Sequence, residues 1–407
     1  MSSYYPPAES GAGLPPHLDP RGRHRGRQRA GSWRSGASRI ALSAMTLLSV
    51  ALLLAAGYYW YTFRAIDNGV PRRNVAVGAP PSGQHDIDGT DQNILLVGND
   101  DRTNMTDAEV KELHVGRDGG SKATDTMMIL HVPANGSKAT LISLPRDSYV
   151  NIPGHGQDRL NAAYLYGYNA APGPESDKQT AGADLLLKTV TNLTGLTINH
   201  YIQVSLLGFY EISKALGGVP INLCHAVDDT TAANQAAGLD GGSGFKMSKG
   251  KHTISGKTAL EFVRQRHFLP RGDLDRVRRQ QYFLTAAFRK VASGSILFEL
   301  NALGNAIQRN VVLDKGLSLT DLARQMQKLQ ANNIIGKTIP TTPATINGSS
   351  VLQVNKAQVQ RFVDKVIGNT DSAGSASKSA GSKSSTATTP KASTSKTPAP
   401  IDSKCIN

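Results

Sequence analysis

The chain is poor in cysteine: its 407 residues hold two, Cys224 and Cys405. That excludes a disulfide scaffold. There is no CxxC pair and the ten His show no ligand spacing, so a Cys/His zinc site is excluded as well. GxSxG and HExxH are both absent, which removes the nucleophile elbow and the zinc-protease helix. Residues 244–252 come near a phosphate-binding loop, but carry one residue too many and end in His252. Charged residues are few, 19%, against 39% hydrophobic. That is enough apolar material for a core and excludes a wholly disordered chain.

The net charge of +14 is unevenly placed. Seven Arg crowd residues 1–39 (21, 23, 25, 27, 29, 34 and 39) against Glu9 and Asp19. Residues 369–407 hold five Lys against Asp371 and Asp402. A basic arm of this kind suits nucleic acid or a membrane-orientation signal. The next segment favours the second. Ile40 to Phe63 is 24 residues without a charge, enough to span a ~30 Å hydrocarbon layer at ~1.5 Å per residue. Tyr58, Tyr59, Trp60 and Tyr61 form an interfacial belt at its end, and Arg34 and Arg39 flank its start. The positive-inside rule then puts 1–39 in the cytoplasm and the rest outside. No A-x-A-like cleavage site follows, so an uncleaved single-pass anchor is expected, with no nucleic-acid partner.

Residues 64–90, with Pro71, Pro80 and Pro81, read as an extracytoplasmic linker. Residues 369–407 are a low-complexity Ser/Thr/Lys/Ala/Pro tail that cannot bury a core and is expected to be disordered. Residues 91–368 between them show no repeat and read as one α/β domain. Asn93–Val97, Thr126–Val132, Ala139–Leu144, Ile198–Val204 and Val219–Leu223 are expected strands. Helices are expected over Asp177–Leu193, ending at Gly195, and over Leu206–Leu216, ending at Gly217-Gly218. Ser255 is placed as the N-cap of a short helix through Phe262. Residues 230–246 read as a flexible local loop.

Polar motifs sit at the strand ends, where open α/β folds place ligands. Asp100 follows the first strand and Asp125 opens the second. Two such carboxylates suit a hard divalent cation, and equally suit turns and caps. Leu144-Pro145-Arg146-Asp147 closes the third strand. Arg264 and Arg266 are spaced i, i+2, and share a face only if extended. To meet one ligand the helix must therefore end before Arg264. A long helix follows, with Leu274, Val277, Leu284, Phe288 and Val291 as its stripe. Asp273, Arg276 and Gln280 lie beside that stripe, while Arg278 and Arg289 point to solvent. Inward-leaning Arg needs an anion. Either several Arg bind a pyrophosphate or phosphodiester, or they form a structural network with Asp147, Asp273 and Asp275. Cys224 is left open between a buried thiol and a bridge to Cys405 that clips the tail to the domain.

The stretches NILLVGNDDR (93–102), ATDTMMILHVP (123–133), ISLPRDSYVNIPGHGQDRLNAAYLYG (142–167), INHYIQVSLLGFYEISKALGGVPINL (198–223) and KTALEFVRQRH…GDLDRVRRQQ (257–281) resemble the LytR–CpsA–Psr family of cell-wall ligases. The resemblance implies an α/β/α sandwich around a central mixed sheet. It implies a phosphotransferase that moves a glycopolymer from a polyprenyl-pyrophosphate carrier to peptidoglycan, with polyprenyl phosphate leaving. Carried over, Asp100 and Asp125 would hold Mg²⁺, with Mn²⁺ as an option. Arg102, Arg146, Arg264, Arg266, Arg276 and Gln280 would hold the pyrophosphate, and Asp273 would orient an Arg or assist the metal. Arg146, Arg264, Arg266 and Asp273 would be the catalytic set. Asp101 departs from the family's small residue there. Two rival readings are a non-catalytic polyprenyl-phosphate-binding assembly protein and a membrane-bound regulator.

Overall fold

The computed structural model describes residues 32–78, 90–102, 105–113, 120–134, 138–239, 241–292, 299–328, 334–368 and 405–407. The arm before Ser32, the linker residues 79–89 and the tail from 369 to 404 lie outside them. The chain divides into two units, residues 1–59 and 60–407.

Helix α1 (Ser32–Gly69) fills the described part of the first unit and continues into the second. From Arg39 to Gly69 it is long and apolar enough to cross a membrane. Its large apolar residues, including Ile40, Leu47 and Leu53, are exposed. A helix that is apolar all round and unburied matches hydrocarbon rather than water. Its one serine in mid-span, Ser49, donates to the carbonyl of Met45 at 2.9 Å, so no hydroxyl there needs water. In the second unit Arg64 lies 5.2 Å over the Trp60 ring.

The second unit is built on strands β1 (Arg72–Arg73), β2 (Gln92–Asp101), β3 (Gly120–Val132), β4 (Ala139–Ser143), β5 (Ser148–Ile152), β6 (Gly156–Arg159), β7 (His200–Ser205), β8 (Val219–Leu223), β9 (Val227–Asp228), β10 (Lys246–Met247), β11 (Gly250–Ile254), β12 (Val311–Asp314), β13 (Ile334–Thr338), β14 (Thr342–Ile346) and β15 (Ser349–Gln353). Its helices are α2 (Asp107–Leu113), α3 (Ala162–Ala170), α4 (Glu175–Thr194), α5 (Leu206–Ala215), α6 (Thr231–Ala236), α7 (Gly256–Arg264), α8 (Asp273–Ala292), α9 (Leu300–Asn310), α10 (Leu319–Lys328) and α11 (Lys356–Ile367). The main sheet has the order β1-β12-β7-β2-β3-β4-β13. It is mixed: β1 and β12, β2 and β7, and β4 and β13 are parallel, and the remaining pairs antiparallel.

The apolar runs of the central strands follow from burial on both faces. Leu95, Val97, Met127 and Ile129 point to one side, against α3, α4 and α11. Ile94, Met128 and Leu130 point to the other, where Leu284 and Phe288 of α8 and Leu322 of α10 meet them. The sheet is therefore the middle layer of an α/β/α sandwich. Gln281 locks α8 in place. It is 1% exposed, and its amide donates to Ser143 Oγ at 2.6 Å and to the Lys337 carbonyl at 2.6 Å.

Several element ends behave as the sequence suggests. Gly195 closes α4 at φ 77°, donating to Thr191 O at 2.8 Å. Gly217 and Gly218 both have positive φ after α5. Others differ. Ser255 precedes α7 but its side chain caps nothing; the amide of Gly256 is taken by Ser213 Oγ at 2.8 Å. Val70 and Val75, expected in the linker, are buried, and β1 adds an edge strand beside β12. Residues 230–246 form a tied structure in place of a flexible loop. Asp229 is fully buried and accepts from Asn234 Nδ2 at 2.7 Å and from the Ser243 amide at 3.0 Å, while Phe245 is buried against Phe262.

The last three residues return to the domain. Cys405 is disulfide-bonded to Cys224, which settles the alternative left open above. Ile406 pairs with β8, donating to Asn222 O at 2.8 Å and accepting from the Cys224 amide at 2.9 Å. A second sheet, β14-β15-β5-β6, lies at the other side of the Arg146–Asp147 turn.

Candidate functional site

The site is assembled from the middle of β3 at Asp125, the turn after β4, the C-terminal end of α7 and the first turn of α8. Pro145-Arg146-Asp147 leaves β4 in a turn closed by Ser148 N to Pro145 O, 3.0 Å. This aims Arg146 at Asp125, and Nη1 meets Oδ1 at 2.5 Å. Asp273 and Asp275 stand in the first turn of α8, where carboxylates complement the helix dipole. One turn on, Arg276 Nη2 meets Asp273 Oδ1 at 2.6 Å.

Arg276 carries the electrostatics. Only 7% of its side chain is exposed. Burial pushes its guanidinium down to about 10; Asp273 and Asp125 pull it back, while Arg266 and Arg146 press it down further. Five candidates therefore act on one another here: Asp125, Arg146, Arg266, Asp273 and Arg276. Arg146 shifts the other way. Burial lowers it, but Asp125, then Asp147 and Asp273, raise it on balance. With Asp147 3.5 Å from Arg146 Nε, three guanidinium groups (Arg146, Arg266 and Arg276) meet three carboxylates (Asp125, Asp147 and Asp273) in a half-buried place. Arg276 Nε, Arg146 Nε and Asp273 Oδ2 are buried without a hydrogen-bond partner. Orphaned buried donors of this kind cost free energy until an acceptor arrives.

Arg264 is the last residue of α7, so the helix runs one residue further than the sequence reading required. The condition set for the two arginines to meet one ligand, a helix ended before Arg264, is therefore not met. Gln265 turns out of the helix at φ −55° and ψ 135° and is fully buried, while Arg264 and Arg266 on either side are exposed. Gln265 Nε2 donates to the His267 carbonyl at 2.9 Å, and His267 Nδ1 lies 3.3 Å from buried Asp229. The tied 229–245 segment thus backs the two arginines. Gln280 reaches back to α7, its Nε2 being 3.5 Å from Val263 O.

Asp100 and Arg102 form a pair of their own. Arg102 Nε donates to Asp100 Oδ1 at 2.9 Å, and its Nη2 meets the second oxygen. Asp101 is held by Lys122 at 2.8 Å. The ladder between β2 and β3 is irregular at Gly98/Asn99 and Asn99/Asp100. Among the described residues no three of His, Cys, Asp or Glu gather around one point. The oxygen donors of Asp100 and Asp125 suit a hard cation. In the structure both Asp100 oxygens face Arg102, so a cation held there would take the place of that contact.

Sequence reasoning missed Arg279 and misplaced Arg278. Arg279 is fully buried between Phe245 and Phe262, its guanidinium carbon 5.5 and 4.7 Å from the ring centres. Burial lowers it to about 10, with Asp229 and Asp275 opposing. Arg278, expected in solvent, is 19% exposed and sits 3.7 Å from Asp275. Asp275 is itself buried and holds Arg271 at 2.6 Å. Asp275 therefore pairs with Arg271 and Arg278, as the network alternative had it; buried unpartnered guanidinium nitrogens occur in both groups, at Arg278 Nε and Arg279 Nη1 and Nη2 as well as at Arg146 Nε and Arg276 Nε.

The family model described as LytR_cpsA_psr matches residues 72–367. The chain belongs to this family. A LytR_cpsA_psr member of this kind is 34% identical over 356 residues to the cell wall biosynthesis protein LcpA of Corynebacterium glutamicum, covering 81% of this chain and 66% of LcpA. It is 33% identical over 282 residues to the polyisoprenyl-teichoic acid–peptidoglycan teichoic acid transferase TagU of Oceanobacillus iheyensis, covering 68% of this chain and 75% of TagU. In fold it is similar to Bacillus subtilis TagT, with a TM-score of 0.52 at 22% identity over 73% of this chain and 98% of TagT. The family match begins at Arg72, the residue where β1 joins the sheet.

Proposed function

We propose that this LytR_cpsA_psr protein is a membrane-anchored phosphotransferase. It moves a glycopolymer from a polyprenyl-pyrophosphate carrier onto peptidoglycan on the outer face of the cell membrane, with residues 1–39 in the cytoplasm. The observation that carries the reading is Arg276: buried, pressed by Arg146 and Arg266, and left with an unpartnered Nε. Such a group asks for a multiply charged anion, and a diphosphate answers several guanidinium groups at once. The relatives support the rest. TagU is named as a teichoic acid transferase to peptidoglycan, and TagT has been solved bound to LIIa-WTA.

In the reaction a saccharide hydroxyl attacks the phosphorus that carries the glycopolymer. The bond from that phosphorus to the bridging oxygen breaks, polyprenyl phosphate leaves, and one proton is released. Such transfer needs mainly positioning and charge neutralisation. Arg146, Arg264, Arg266 and Arg276 hold the diphosphate oxygens; Asp273 fixes the fork of Arg276. Arg102 and Gln280 complete the headgroup contacts. Asp100 and Asp125 are the carboxylates that would hold Mg²⁺ or Mn²⁺, which would supply further charge neutralisation.

The full-length protein in detergent, given a labelled polyprenyl-pyrophosphate saccharide and an oligosaccharide acceptor, tests this. Phosphodiester product that disappears with EDTA and returns with Mg²⁺ is the expected result. Tight lipid binding with no transfer would favour the assembly-protein reading.

A further inference from the structure

The segment GHGQDRLNAAYLYG (154–167) plays no part in the anion clamp, yet it builds a second feature. Strands β5 and β6 pair antiparallel, with Tyr149 opposite Arg159 and Val150 opposite Asp158. Directly paired residues share a face, so Val150 and Ile152 in the core leave Tyr149 and Arg159 on the outer one. The β14–β15 hairpin extends that face, since β15 runs parallel to β5. A pocket of about 540 Å³ at this sheet is lined by Tyr149, Gln157, Asp158, Arg159, Asn161 and Asn347, among others; Asp158, paired with Val150, comes from the opposite face.

The lining is specific in kind. Tyr149 supplies an aromatic face, Gln157, Asn161 and Asn347 planar amides, and Asp158 and Arg159 one charge of each sign. Among the described residues, the side chains of Tyr149, Arg159 and Asn161 have no hydrogen-bond or ionic partner. Asp158 is held in place. Its Oδ2 accepts from Tyr166 at 2.5 Å and its Oδ1 from the Arg159 amide at 2.7 Å, and His155 stacks on Tyr166 at 4.6 Å. One guanidinium beside one carboxylate does not suit a polyphosphate, and so polar a lining does not suit a lipid tail. A ring for the C–H face of a pyranose, with fixed planar donors and acceptors for hydroxyl and acetamido groups, suits an oligosaccharide.

The pocket also adjoins the clamp through backbone. The Asn161 amide donates to Arg146 O at 3.1 Å, and the Leu352 amide to Asp147 O at 2.9 Å. Tyr149 follows Arg146 by three residues, across the turn closed by Ser148 N to Pro145 O.

We propose that this groove between β5–β6 and the β14–β15 hairpin binds the amino-sugar oligosaccharide that accepts the transferred group. Its naming as acceptor rests on the transferase reading; the binding of a glycan does not.

The test is a calorimetric titration of the full-length protein in detergent with a soluble N-acetylglucosamine/N-acetylmuramic acid oligosaccharide. Wild type shows saturable binding. Arg159→Gln and Tyr149→Leu each weaken it tenfold or more with unchanged circular dichroism, whereas Arg276→Gln leaves it within twofold. In the transfer assay the two groove variants raise KM for the acceptor and leave carrier affinity within twofold. Absence of wild-type binding, or groove variants that bind normally, overturns the proposal. Groove-dependent binding with no transfer in any condition would keep the groove and remove the transferase reading; transfer with the groove variants at wild-type KM would do the reverse.

Discussion

Asp273 and Arg276 meet at 2.6 Å one turn apart at the start of α8, yet each keeps a buried atom, Oδ2 and Nε, without a partner. A purely structural ion pair this close to the core would be expected to satisfy both ends. The contact positions Arg276 and leaves one donor, Arg276 Nε, and one acceptor, Asp273 Oδ2, without partners.

Removing the carboxylate should therefore act on function more than on fold. Asp273→Asn is expected to lower kcat/KM for transfer by at least 10²-fold, about 2.7 kcal/mol of transition-state stabilisation. The thermal midpoint should move by only a few degrees. Unchanged kinetics would remove Asp273 from the mechanism.

Arg276 makes a prediction of opposite sign for stability. Its guanidinium lies near 10 in the fold, below its ordinary value. The fold therefore binds this proton less well than the unfolded chain does, and burying the charge costs stability at every pH below 10. That cost is relieved as pH rises above about 10, where only the unfolded chain still holds the proton. At neutral pH, Arg276→Met should abolish carrier binding while the thermal midpoint stays equal or rises. A sharp fall in the midpoint would show that Arg276 is a structural brace.

Helices α3 and α4 cross where only glycine fits. A Cβ on Gly167 would stand 2.4 Å from the carbonyl oxygen of Ala181. Gly167→Ala is expected to cost ~1–3 kcal/mol, read as a lowered midpoint in urea or heat. An unaffected midpoint would mean that the two helices separate freely.

The returning C-terminus should matter to stability as well. Arg279 donates Nε to Asn407 O at 2.7 Å, and Ile406 is 3% exposed. Cys405→Ser, or reduction of the bridge, is expected to lower the thermal midpoint and to lower carrier affinity less than twofold. Deleting 405–407 should destabilise further, because buried Arg279 then loses that acceptor.

Much of the fold was legible because the main sheet is covered on both faces. NILLV, TMMILHV and ATLISL are uninterrupted apolar runs for that reason. The end of α7 was legible only to within a residue: the helix includes Arg264, and the backbone leaves it at Gln265. What stayed hidden depends on contacts distant in sequence. Arg279 looks like any helix arginine until Phe245, Phe262 and Asn407 are brought around it. Asp229 marks a buried knot inside a stretch whose composition reads as loose. Strands β5, β6, β14 and β15 have one polar face and short length, so no apolar run announces them. Asp100 was read as a cation ligand; Arg102 occupies both its oxygens here, a contact that residue types alone do not reveal.

The pairing of Ile406 with β8 has a consequence of another kind. With β11, β8 forms a two-stranded ribbon, and bare rims of such ribbons invite strands from other molecules. Here the chain's own end occupies that rim and the bridge to Cys224 keeps it there. Losing the last three residues would thus uncover an adhesive border, and clustering between copies would follow.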